Sequence, residues 1–174
     1  DMNLEVRQGH TIAIVGPTGA GKTLVAEHAV GRAFAAGRRA FYTTPIKALS
    51  NQKYSDLRSY YGDSAVGLLT GDNVINGDAP IVVMTTEVLR NMLYAASPTL
   101  SGLRSVVMDE VHYLADRERG PVWEEVIIGL PESVRGMIER KIGQLDEALT
   151  CLEQARLDSR SGEKDQTEIE TLTA

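Results

Sequence analysis

Short apolar runs alternate with longer segments of helical period along the first three-quarters of the chain. Thr11-Ile12-Ala13-Ile14-Val15 is the first run, and residues 22–36 after it read as a helix ended by Gly37. Ala40-Phe41-Tyr42-Thr43 follows, then a helix over 46–60 behind Pro45. Ala65-Val66-Gly67-Leu68-Leu69, Ile81-Val82-Val83-Met84 and Ser105-Val106-Val107-Met108 continue the series, with a short helix over 86–95. Strands that are apolar at consecutive positions are buried on both faces. Alternating with helices, they predict an α/β domain whose parallel sheet is covered by helices on both faces. Val122-Trp123-Glu124-Glu125-Val126-Ile127-Ile128 reads as one more helix, with Trp123 a packing residue. No internal repeat is present.

The pattern changes near residue 132. Ile138, Ile142, Leu145, Leu149 and Leu152 recur at spacings of four and three, among Glu, Asp, Lys, Arg and Gln. That stripe predicts a C-terminal amphipathic helix that docks on its own domain or pairs with a partner helix. It breaks at Ser159-Arg160-Ser161-Gly162, and residues 163–174 are polar. The expected division is a domain over 1–135 and a helical tail over 136–174.

Composition narrows the class. Hydrophobic residues make up 43% of the 174, which suits a globular core. No apolar run reaches the ~18–20 residues that span a bilayer, so no membrane is expected. The opening residues carry no signal-peptide pattern, and the single cysteine, Cys151, excludes an internal disulfide and a cysteine zinc site. These features point to the cytoplasm. The net charge is −6; residues 136–174 hold 5 Lys+Arg against 9 Asp+Glu, so −4 of it sits in the tail. The remaining −2 leaves the body near neutral, and a nucleic-acid groove on it would be local.

Chemistry enters with Gly16-Pro17-Thr18-Gly19-Ala20-Gly21-Lys22-Thr23, placed between a strand and a helix. Glycines let the backbone wrap phosphates closely, and loop and helix N–H groups then face the anion. In such a loop Lys22 reaches the β- and γ-phosphates, and the Thr23 hydroxyl binds Mg²⁺. Asp109 and Glu110 follow the apolar run 105–108. Ligands of an open parallel sheet sit at the carboxyl ends of its strands, so Asp109 is placed to hold Mg²⁺ and Glu110 to orient or deprotonate a water. The expected ligands are a nucleoside triphosphate and Mg²⁺. His112 either couples the nucleotide to the next layer or is a satisfied, partly buried histidine. His10 and His28 have no motif around them.

Longer stretches carry a resemblance. Residues 43–54, Thr-Thr-Pro-Ile-Lys-Ala-Leu-Ser-Asn-Gln-Lys-Tyr, resemble motif Ia of the superkiller-type DExH-box RNA helicases, HelY-like members included. Residues 67–72 and 83–90 resemble the next two motifs, and 107–125, from Val107-Met108-Asp109-Glu110-Val111-His112 onward, resemble motif II and its sequel. The resemblance covers about residues 17–135 and implies a RecA-like ATP-binding motor domain. Carried over residue by residue, it implies that Pro45, Lys47, Thr70, Gly71, Thr86 and Glu87 meet the backbone of single-stranded RNA or DNA. Amides, hydroxyls and one Lys suit contacts of that sequence-independent kind. Thr86-Glu87 also reads as a helix N-cap with an acid in the first turn.

The resemblance has limits. Residues 3–23 look like the start of an ABC-transporter ATPase, but the Leu-Ser-Gly-Gly-Gln signature is missing. An ABC-type fragment and a non-enzymatic nucleotide- or partner-binding module are the alternatives to a helicase. The tail takes the place of the family's Ser-Ala-Thr strand, which predicts a sheet edge that is exposed unless the tail helix covers it. The 174 residues contain no second RecA-like domain, so full activity is expected to require one.

Overall fold

The computed structural model describes residues 12–16, 21–130 and 135–141. Seven strands form one sheet: β1 (Ile12–Gly16), β2 (Arg39–Thr44), β3 (Val66–Thr70), β4 (Asn73–Ile75), β5 (Ile81–Thr85), β6 (Leu103–Met108) and β7 (Arg135–Lys141). Their order across the sheet is β1-β7-β6-β2-β5-β3-β4. Every pairing is parallel except β3 with β4. The helices are α1 (Lys22–Ala35), α2 (Lys47–Tyr61), α3 (Thr86–Tyr94) and α4 (Gly120–Gly129). The architecture is the RecA-like α/β arrangement, with carboxyl ends of the parallel strands along one edge.

Strand periodicity divides the core. Tyr42, Ile81, Val83 and Val107 face one side, where they pack with Ala26, Val30 and Ala33 of α1 and Tyr54 and Leu57 of α2. Phe41, Val82, Met84, Val106 and Met108 face the other, with Leu89 of α3 and Trp123 and Val126 of α4. Consecutive strand residues thus serve opposite layers, which is why the strands are apolar at every position. Each fully buried Val, Leu, Ile, Phe or Met side chain stabilises the fold by about 1.5–3 kcal/mol. Trp123 is fully buried, as its helical setting predicts.

Two elements depart from the sequence expectation. Residues 135–141 form β7, not the first turns of a helix; Ile138 pairs with Ala13 of β1 on one side and Met108 of β6 on the other. The facing edges of β1 and β6 would otherwise carry unpaired N–H and C=O groups, and that cost outweighs a helical stripe whose first turn contains Gly136. The sheet therefore runs to Lys141, beyond the boundary expected at 135, and the edge expected to lie bare is filled. Ile142, Leu145, Leu149 and Leu152 lie outside the described residues. The second departure is β4, three residues that turn back along β3. Gly67 makes this return possible: a Cβ there would lie 2.1 Å from the Asn76 carbonyl oxygen.

Candidate functional site

One end of the carboxyl edge belongs to β1 and β6. Between β1 and α1 the backbone passes through Gly21 in the left-handed region, φ 76° and ψ 17°, a conformation that costs other L-residues energy. Its carbonyl accepts the Leu24 N–H at 3.0 Å and starts the first turn of α1. Lys22 is buried, 8% exposed, whereas Thr23 is exposed. Gly16 ends β1; Pro17, Thr18, Gly19 and Ala20 lie outside the described residues.

Asp109 follows β6 and is held three ways. Its N–H donates to Thr43 O at 2.9 Å. The Tyr42 hydroxyl donates to its Oδ2 at 3.0 Å, and the Glu110 N–H donates to its Oδ1 at 2.8 Å. The carboxylate is thereby fixed by neutral donors and remains an oxygen ligand of the kind Mg²⁺ takes. No cluster of three or more His, Cys, Asp or Glu occurs among the described residues. Magnesium bound through a nucleotide needs only one or two protein carboxylates or hydroxyls, and Asp109 with Thr23 fits that demand.

Glu110 is strained. Its φ is 56° and ψ 42°, left-handed for a residue with a Cβ, at a cost of about 1–2 kcal/mol. This turn directs the chain into a 3-10 helix over Val111–Ala115. Glu110 Oε2 lies 3.0 Å from His112 Nδ1, within ion-pair range if the imidazole is protonated. The two are not aligned for a hydrogen bond, and Nδ1 is buried with no hydrogen-bond partner. The His112 side chain is 40% exposed, so the ring presents its other edge outward. It leans on Tyr113 at 4.7 Å, and Tyr113 stacks on Trp123 at 5.8 Å. His112 is thus partly buried, as one reading expects, but its Nδ1 is not satisfied.

The other end of the edge belongs to β2, β5 and β3. Thr44 is buried; its hydroxyl lies 2.7 Å from Ser50 Oγ and donates to Ile46 O at 3.1 Å, closing the turn around buried Pro45. Thr86 is fully buried and donates to Thr44 O at 3.3 Å. The expected cap is therefore displaced by one residue: Thr85 occupies the cap position of α3 without a side-chain hydrogen bond, and Glu87 lies in the first turn. Thr70 is buried too, while Lys47 and Gly71 are exposed and Glu87 is partly exposed. Lys47 Nζ pairs with Asp72 Oδ2, and Thr70 Oγ1 donates to Asp72 Oδ1 at 3.1 Å. Hydrogen bonds from Lys47 and Thr70 hold the Asp72 carboxyl below the usual carboxylate range.

Sequence reasoning missed Tyr42, Ser50 and Asp72. Asp72 stands inside the quoted motif, but nothing in the order of residues shows that it meets Lys47, 25 positions away. Tyr42 alternates with Phe41 as a core residue, and only its hydroxyl reaches the site.

Comparison with known proteins shows the family and the fold. The chain is 66% identical over 130 residues to "Probable helicase HelY" of Mycobacterium tuberculosis, covering 75% of this chain and 14% of that protein. It is 48% identical over 130 residues to "Antiviral helicase SKI2" of Saccharomyces cerevisiae, covering 75% and 10%. It thus spans about a seventh or less of these relatives. The helicase domain of Pyrococcus furiosus Hef superposes with a TM-score of 0.63 at 22% identity, over 85% of this chain and 33% of that one. The Escherichia coli DExH-box NTPase HrpB gives 0.60 at 19% identity, over 80% and 18%. A DEAD/DEAH box helicase model matches residues 3–139, taking in the opening that resembles an ABC ATPase and most of β7. This chain belongs to the DEAD/DEAH box helicases, as a first RecA-like domain of the superkiller type.

Proposed function

We propose that the chain is the ATP-binding motor domain of an RNA helicase, with Mg²⁺-ATP at the β1/β6 end of the carboxyl edge and single-stranded RNA at the β2/β5/β3 end. The observation that carries this reading is the end of β2. Thr43 O accepts the N–H of Asp109, and the next carbonyl, Thr44 O, accepts the hydroxyl of Thr86. Adjacent peptide groups of one strand thus link both ends, so a shift at Asp109 is felt at α3.

The roles follow from placement. The loop from Gly16 to Gly21 offers backbone N–H groups to the phosphates, and Lys22 neutralises β/γ charge. Thr23 and Asp109 would hold Mg²⁺, which would supply charge neutralisation when bound. Glu110 orients and deprotonates the attacking water, and His112 relays the state of that carboxylate toward Tyr113. At the other end Lys47, Gly71 and Glu87 face the strand, while buried Pro45, Thr70 and Thr86 set the shape of that surface. Backbone contacts of this sort also accept single-stranded DNA. A second RecA-like domain completes the site; an arginine finger of the kind it supplies is worth ~10³–10⁵ in rate. A cytoplasmic placement is supported by the near absence of cysteine; among the described residues no helix is long and apolar enough to cross a membrane.

The test is Mg²⁺-ATP turnover by the 174-residue chain, with and without single-stranded RNA, beside Lys22→Ala and Glu110→Gln. RNA-stimulated turnover lost in both variants supports the proposal. Nucleotide binding indifferent to Lys22→Ala sinks it.

A further inference from the structure

We propose that Asp72 is an internal competitor for the nucleic-acid strand: in the free protein its carboxylate occupies the place that a backbone phosphate takes on binding. This rests on the reading of the β2/β5/β3 end as the strand-binding surface. The two carboxylate oxygens are divided between two donors, Lys47 Nζ on Oδ2 and Thr70 Oγ1 on Oδ1. An ammonium and a hydroxyl converging on one anion form the donor pair that a phosphate of the strand requires. Thr70 is buried, but Lys47 is 50% and Asp72 67% exposed, so an incoming phosphate reaches the lysine first. An exposed pair of this kind is weakly held, and exchange of one anion for another costs little.

The competitor is fixed in position. Gly71 and Asp72 form the loop between β3 and β4, whose flanking residues Thr70 and Asn73 pair directly. The hairpin base is locked by the close approach at Gly67 and by the Asn76 side-chain amide, which donates to Ser64 O at 3.1 Å. The hairpin therefore keeps the displaced carboxylate close to Lys47 when a phosphate arrives, and its charge repels it. In physical terms, Asp72 lowers affinity and reduces the net counterion release on binding, because the freed carboxylate recovers a cation.

The experiment is fluorescence anisotropy of a labelled oligouridylate binding to the 174-residue chain across a salt series, for the wild type, Asp72→Asn, Lys47→Ala and the double variant. The expected result is about two- to fivefold tighter binding in Asp72→Asn. Its salt dependence steepens by up to about 0.7 in the log–log slope. In the Lys47→Ala background, Asp72→Asn changes nothing. Equal tightening in both backgrounds overturns the proposal, because Asp72 is then only a diffuse repulsive charge. Weaker binding in Asp72→Asn overturns it as well, and Asp72→Ser separates that outcome from a residual amide contact: a competitor gives tightening in both. If Lys47→Ala leaves binding unmoved, the strand-binding surface itself is misplaced and both readings fall; if only the Asp72 variants fail, the surface stands.

Discussion

The two ends of the sheet's carboxyl edge are built in opposite ways. At the β6 end the protein tolerates discomfort: Glu110 sits left-handed, and His112 Nδ1 and Trp123 Nε1 are buried without hydrogen-bond partners. At the β2/β5/β3 end the polar groups partner one another: Thr44 with Ser50, Thr86 with Thr44, Lys47 and Thr70 with Asp72. Strain of the first kind persists where the surroundings over-determine it, and it collects at sites that do chemistry. Self-satisfaction of the second kind suits a surface that must hold its shape before a long polymer arrives. The difference sets a strained β6 end beside a β2/β5/β3 end whose polar groups already have partners.

That contrast can be broken in order of size. Glu110→Gln is expected to lower RNA-stimulated ATP turnover by about 10²–10⁴-fold, measured by phosphate release, with nucleotide binding retained. A drop of less than tenfold would move the water-activating role away from β6. Gly67→Ala is expected to destabilise the domain by about 1–3 kcal/mol in urea unfolding, because backbone atoms rather than a flexible side chain block the new Cβ. An unchanged midpoint would show that the hairpin is not locked. Glu110→Gly should do the reverse, stabilising the fold by up to about 1–2 kcal/mol from relief of the left-handed strain, less the added chain entropy, while abolishing turnover. Stability lost instead would mean that the turn is not strained. Thr86→Val removes the hydroxyl that donates to Thr44 O and should cost about 1 kcal/mol. The smallest effect is electrostatic. The N–H groups of Arg119 and Glu118 hold the Asp116 carboxyl below its ordinary range. Its stabilisation is therefore present above the unfolded carboxylate pKa and lost as pH falls through the lower folded value. An NMR titration of Asp116 with an ordinary midpoint would refute this.

Much of this was legible in the residues. β2, β5 and β6 announce themselves because strands buried on both faces leave no polar position to confuse them. Gly21, Lys22 and Asp109 stand out as candidates in the sequence because phosphate and metal chemistry demand particular residue types at strand ends. What escaped depends on distant partners. Ile138 obeys a helical spacing, yet the slot between β1 and β6 decides its fate, and spacing carries no information about slots. Asp72 is an ordinary turn acid until the fold carries Lys47 to it. The left-handed turn at Glu110 is equally silent, since a glutamate gives no local sign of it.

The position of β1 has a consequence for how the protein is made. Among the described residues β1 is the outermost strand of its side and its neighbour is β7, so Ile12 is paired with Met137. As a chain emerges from the ribosome at ~5–20 residues per second, the strand that leads into the phosphate loop appears before β2 to β6 but waits for all of them before its partner β7 exists. Nascent chains halted before residue 135 would carry a helical layer and a central sheet, yet no docked β1. Among the described strands the first synthesised would be the last to join, and nucleotide capture would report that this sheet had closed.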